Sequence, residues 1–209
     1  MIKKMRYVLL SLILVLFSCK KGTGNFTIKG IITDNSFNKG LDGASASLYQ
    51  VTSSNSNKVF ISSTALGSDG SYSFVFKRDK IEKYILTVSK NNYFDLEETI
   101  PFASLSLSED NIKNYSTTAK AWVRLKFFNN SPAVSDQLDF TKQQGKSPCS
   151  TCAPTSQQTF LGAIDTSLVY VNDGNTTFSY LYSVFGTANQ GIKSAVTVPF
   201  DTTEIYLLY

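Results

Sequence analysis

Cys149-Ser150-Thr151-Cys152 is the one segment whose residue types and spacing suit thiol chemistry. A structural zinc site takes four nitrogen or sulfur ligands. The chain has three cysteines and no histidine, and Cys19 lies far off near the N-terminus, so the body offers only two soft ligands. A redox pair wants its first cysteine at a helix N-terminus beside a βαβ unit. Here Pro148 and Pro154 flank the pair in a segment without apolar periodicity. The pair therefore reads as a local disulfide stapling a loop, with no metal or cofactor expected. The missing histidine also removes the commonest general base and the usual serine and cysteine hydrolase machinery. Carboxylate-only chemistry such as glycoside hydrolysis passes this filter. Its candidates are Asp95, Glu97, Glu98, Glu109 and Asp110, but no pattern aims two of them across a cleft. Asp34, Asp42, Asp69, Asp173 and Asp201 sit in or near turn segments without the regular Asp-x-Asp-x-Asp-Gly spacing of a calcium loop, and turn aspartates commonly bond their own backbone. Trp122 is either a core side chain or a platform for stacking a sugar, and core is the expected reading. The chain thus reads as a non-enzyme.

The elements that position these residues are strands. Phe and Tyr together number 26, and Ser, Thr and Asn are abundant, a mixture that suits pleated, half-buried strands. Tyr72, Phe74 and Phe76 alternate with Ser71, Ser73, Val75 and Lys77, a period of two. Tyr84, Leu86 and Val88 do the same. Strands of five to eight residues at about ten-residue spacing predict an antiparallel sandwich or barrel. Residues 105–118 read as a connector with one helical turn near Ser108-Glu109-Asp110, and residues 129–158 as the least structured part. Ala121, Val123, Leu125 and Phe127 share one face of a strand; Trp122, Arg124, Lys126 and Phe128 share the other. Residues 167–185 read as a hairpin around Asn172-Asp173-Gly174-Asn175.

Two stretches carry family resemblances. Lys3, Lys4 and Arg6 precede the apolar run Tyr7 to Phe17, broken only by Ser11, and Leu16-Phe17-Ser18-Cys19 closes it. The run is too short to cross a bilayer and has the build of an export signal. Its last four residues resemble the lipobox of bacterial lipoproteins, with Phe17 bulkier than usual at its position. The resemblance implies a signal over residues 1–18, lipidation of Cys19 and a tether over 19–25. The second is Ile28-x-Gly30-x-Ile32, Leu41-x-Gly43-Ala44, Ser68-Asp69-Gly70-Ser71-Tyr72-Ser73-Phe74, Tyr84-x-Leu86-x-Val88 and Tyr93. It resembles the carboxypeptidase regulatory-like domains, transthyretin-like sandwiches found in envelope proteins of Bacteroidetes. That implies a fold and no catalytic residues.

Cleavage before Cys19 removes three of the 20 basic side chains, leaving 17 against 16 acidic ones, a balance without the electrostatic footprint of a nucleic-acid binder. The combined expectation is an all-β chain: a carboxypeptidase regulatory-like sandwich over 26–115 and an Ig-like sandwich over 116–209. It is expected at the outer membrane on its lipid, as a binding or structural module with an envelope protein or glycan partner. Lys20-Lys21 and neutral residues follow Cys19, where surface-exported lipoproteins of that phylum tend to be acidic, so either face of the membrane stays open. Two alternatives remain: a carbohydrate-binding or weakly glycosidic module, and a small outer-membrane barrel, suggested by the terminal Ile205-Tyr206-Leu207-Leu208-Tyr209.

Overall fold

The computed structural model describes residues 24–79 and 81–209, so the expected signal and Cys19 lie outside the described residues. The first unit opens with β1 (Asn25–Asp34), β2 (Lys39–Gly40), β3 (Ser45–Thr52), β4 (Asn55–Ala65) and β5 (Ser71–Lys77). It continues with β6 (Lys83–Ser89), β7 (Leu96–Pro101), a 3-10 turn at Phe102–Ser104, β8 (Asn111–Ile112) and β9 (Tyr115–Thr117). One sheet runs β2-β1-β5, with β8 and β9 laid parallel on β1; the other runs β4-β3-β6-β7, antiparallel throughout. The period-two faces meet between them: Tyr72, Phe74 and Phe76 of β5 are buried against Phe26, Ile28, Leu48, Tyr84 and Leu86. Rings dominate this core, with Phe76 and Tyr84 edge to face at 4.7 Å. Gly70 has φ +78°, and a Cβ there would lie 2.3 Å from the Ile32 carbonyl oxygen, so the turn into β5 requires glycine on both counts.

The second unit contains β10 (Lys120–Phe128), β11 (Gln137–Gln144), β12 (Gln158–Leu161), β13 (Asp165–Asp173), β14 (Thr177–Val184), β15 (Gln190–Val196) and β16 (Thr202–Leu208). β10 lies between β13, antiparallel, and β16, parallel; β12-β11-β14-β15 form the opposing antiparallel sheet. Phe127, Phe140 and Tyr180 fill the space between them, Phe127 and Phe140 at 5.2 Å. The chain is therefore all-β, two sandwiches in tandem, each with its own core. All four sheets are open at their edges, so the barrel alternative does not describe these residues.

Several local expectations are corrected. Residues 167–185 are not a hairpin: β13 bonds β10 and β14 bonds β11, so the Asp173-Gly174 turn carries the chain from one sheet to the other. The segment 129–158 holds β11, a central strand, whose inward positions are Leu138, Phe140 and the aliphatic stem of Lys142. The connector 105–118 holds β8 and β9, and its helical turn lies earlier, at Phe102–Ser104. β9 (Tyr115–Thr117) lies on β1, and Ala119 is buried in the first core.

The two units are joined by more than the chain. Phe200 reaches from the β15–β16 loop to stack on Phe37 at 5.9 Å and tilt against Tyr93 at 5.4 Å. The Tyr93 hydroxyl donates to Oδ2 of the buried Asp34 at 2.7 Å. Asn175 Nδ2 donates to the Ser36 carbonyl at 2.8 Å. The Lys146 ammonium sits 3.9 Å above the Phe94 ring and 2.6 Å from Asp173.

Candidate functional site

The outer face of the β13-β10-β16 sheet gathers the most chemistry. Strand alternation on β10 sends Ala121, Val123, Leu125 and Phe127 into the core and leaves Trp122, Arg124, Lys126 and Phe128 outward. Trp122 is thus half-buried on the outer face, which corrects its expected place in the core. Cross-strand register builds four rows. Trp122 lies between Val171 and Thr202, Arg124 between Val169 and Glu204, Lys126 between Ser167 and Tyr206, and Phe128 between Asp165 and Leu208.

The middle rows are locked by charge. Glu204 takes Arg124 Nη1 at 2.8 Å and Lys126 Nζ at 2.9 Å, and accepts the Tyr206 hydroxyl at 2.6 Å. Lys126 Nζ also donates to Tyr206 Oη at 2.9 Å and lies 4.8 Å from that ring's centroid. The Tyr206 hydroxyl, then Lys126 and Arg124, pull the Glu204 carboxyl down to about 2. The bond from Lys126 Nζ to Tyr206 Oη, then Glu204, raises Lys126. Exposed ion pairs of this kind contribute little to stability; their effect is to fix side-chain positions. At the Phe128 end the face deepens into a cavity of about 780 Å³, lined by Lys126, Phe128, Asp165, Ser167, Tyr206 and Leu208 among others. Phe128 (45% exposed), Val169 (51%), Tyr206 (59%) and Leu208 (63%) present apolar surface to solvent here.

The other sequence candidates are dispersed. Cys149 and Cys152 are disulfide-bonded, S–S 2.05 Å, in a loop that the Thr151 carbonyl fastens to the Val171 amide at 2.9 Å. Beside it Lys142 Nζ donates to the Lys146 carbonyl at 2.8 Å, and burial lowers its pKa. Asp69 Oδ1 accepts the Ser71 amide at 2.9 Å, and the bonds to Ser71 lower its pKa; Asp201 Oδ1 accepts the Thr202 amide at 2.6 Å. Glu97 pairs with Lys58 at 2.6 Å and Asp110 with Lys29 at 2.5 Å. Among the described residues no three His, Cys, Asp or Glu side chains gather within reach of one metal ion. Sequence reasoning placed Trp122, Arg124, Lys126 and Phe128 on one face but missed Glu204, Tyr206 and Leu208 beside them. Their alternation with the buried Ile205 and Leu207 was the available signal.

No family model matches the sequence, and no curated protein matches it. Among solved structures, the chain is similar to the Bacillus anthracis TIE protein, at 11% identity and TM-score 0.36, over 88% of this chain and 34% of that one. It spans about a third of that protein's length. It is also similar to GBS52, the minor pilin of Streptococcus agalactiae, at 10% identity and TM-score 0.35, covering 88% of this chain and 94% of that one. A candidate carbohydrate-binding protein from Bacteroides uniformis aligns at 11% identity and TM-score 0.32, covering 82% of this chain and 96% of that one.

Proposed function

We propose that this chain is a non-catalytic binding module of a bacterial cell envelope, held at the outer membrane by lipid on Cys19. In this reading the first unit is a carboxypeptidase regulatory-like sandwich. Gly43 and Gly70 supply its turns at φ +65° and +78°, and Tyr72, Phe74, Tyr84 and Leu86 fill its core. The observation that carries a binding role is the outer face of β10, β13 and β16. It combines exposed Phe128, Tyr206 and Leu208 with a fixed Arg124–Glu204–Lys126 array, on a rigid sheet, around a cavity. Sites of this make-up, apolar with a few placed polar groups, are where ligands and partners dock. The partner is an envelope protein or a glycan.

Lipidation has its own test. A single acyl chain holds a protein only marginally to a membrane, and stable anchoring takes at least two signals. Cells expressing the wild type and Cys19→Ala are fed an alkyne fatty acid and fractionated. The wild type carries the label and sediments with the outer membrane; the variant loses both. A variant that labels and sediments like the wild type contradicts the anchored reading.

A further inference from the structure

The proposed binding role leaves the ligand's chemistry open, and the cavity at the Phe128 end narrows it. Two cations, Arg124 and Lys126, and two carboxylates, Glu204 and Asp165, share the face. They are distributed along it, so an anion meets Asp165 and Glu204 and a cation meets Lys126 and Arg124. Like charges brought together at a desolvating contact are disfavoured, which selects against a strongly charged ligand of either sign. A wholly apolar ligand fares no better: covering Asp165, Ser167 and Thr166 without offering hydrogen bonds leaves polar groups buried and unpaired, which disfavours binding.

What remains is a neutral molecule with apolar faces and many groups that both donate and accept. We infer that this cavity and the sheet face leading from it bind a neutral oligosaccharide. Its ring faces lie against Phe128, Tyr206 and Leu208, and its hydroxyls bridge Lys126, Asp165, Ser167 and Glu204. This inference rests on the binding-module reading and specifies its ligand. Three features carry it. Tyr206 is exposed yet held by its bonds to Lys126 and Glu204, so little of its side-chain freedom is lost on binding. Glu204 stays ionised and acceptor-only over the whole working pH range. The face is elongated: Trp122 and Phe128 lie six residues apart on one strand, about 20 Å at the usual rise per residue. That length suits a chain of sugars running along the sheet. Contacts are made by side chains on three neighbouring strands, which is a rigid platform for recognition.

The test uses the full chain in detergent and four soluble probes: maltohexaose, cellohexaose and xylohexaose as neutral chains, hexagalacturonate as an anionic one. Binding is followed by calorimetry and by fluorescence of Trp122, the sole tryptophan of the chain and a member of the same face. At least one neutral chain is expected to bind more tightly than hexagalacturonate. Phe128→Ala and Tyr206→Ala are each expected to weaken it tenfold or more. Tyr206→Phe keeps the ring and is expected to weaken it less than Tyr206→Ala. Ile192→Ala, on the opposing sheet, is expected to leave it unchanged. Urea midpoints confirm that each variant is folded, and Phe128→Ala carries the test if Tyr206→Ala is not.

Failure of all three neutral chains, preference for hexagalacturonate, or indifference to both alanine variants overturns the inference. Envelope capture separates that failure from failure of the parent reading. A protein partner lost in Phe128→Ala, with no sugar binding, leaves the binding module standing and removes the glycan.

Discussion

Phe200 sits at φ +66°, a left-handed conformation that costs an L-residue about 1–2 kcal/mol, and it places its ring between Phe37 and Tyr93 of the other unit. It is 43% exposed, so burial of the rest contributes about 1–1.5 kcal/mol. The two ring pairs add about 0.5–1.5 kcal/mol each. Phe200→Ala keeps the backbone strain and loses the ring, so it should destabilise by about 2–4 kcal/mol. Phe200→Gly loses the same ring but releases the strain. The greater freedom of glycine in the unfolded chain offsets about 0.5–1 kcal/mol of that relief. Glycine should therefore be about 0.5–1 kcal/mol milder than alanine. Urea unfolding, followed by circular dichroism and by Trp122 fluorescence, measures both, and loss of the junction should pull the two probes' transitions apart. Glycine as damaging as alanine would refute the strain argument. Both variants within 0.5 kcal/mol of the wild type would show that the rings do not join the units.

Other outcomes follow from single contacts. The Tyr180 hydroxyl is buried with no hydrogen-bond partner among the described residues, and burial pushes its pKa far up. Tyr180→Phe should thus be neutral or stabilising by about 1 kcal/mol in urea; a loss above 1 kcal/mol would reveal a missed bond. Cys149→Ser with Cys152→Ser opens a very short loop, so the loop-entropy argument gives a loss of about 2 kcal/mol at most with the fold kept. The disulfide form should not turn over in an insulin-reduction assay, and turnover abolished by the double variant would make the pair catalytic. The Glu204 carboxyl is held low, so its contribution to stability is present above the ordinary glutamate value and is lost as pH falls toward about 2. Carbon-detected NMR should place its midpoint near 2, and Tyr206→Phe should raise it; an unmoved midpoint would remove Tyr206 as the first cause.

What was legible in the chain was whatever a strand's own period encodes. β5 shows its buried Tyr72, Phe74 and Phe76 directly, and β10 shows both of its faces. β11 was hidden because only Leu138 and Phe140 mark its inward face, while Lys142 fills the next inward position with its stem. The supposed hairpin at Asp173-Gly174 failed for a different reason. Turn chemistry is local, but the choice between pairing and crossing to the facing sheet belongs to the cores on either side. The candidate site was half visible. Glu204 and Tyr206 join Arg124 and Lys126 through a parallel pairing some 80 residues apart in sequence, and no local pattern reports such a partner. The Phe200 junction is likewise a product of the assembled fold.

In the proposed function the β10–β13–β16 face meets a ligand or partner in the envelope. A photo-crosslinking residue placed at Val169, exposed on that face, tests it in living cells, with the same residue at Ile192 on the opposing sheet as control. Adducts from position 169 and none from 192 are the predicted result. Adducts from 192 alone, or from neither position, would contradict it.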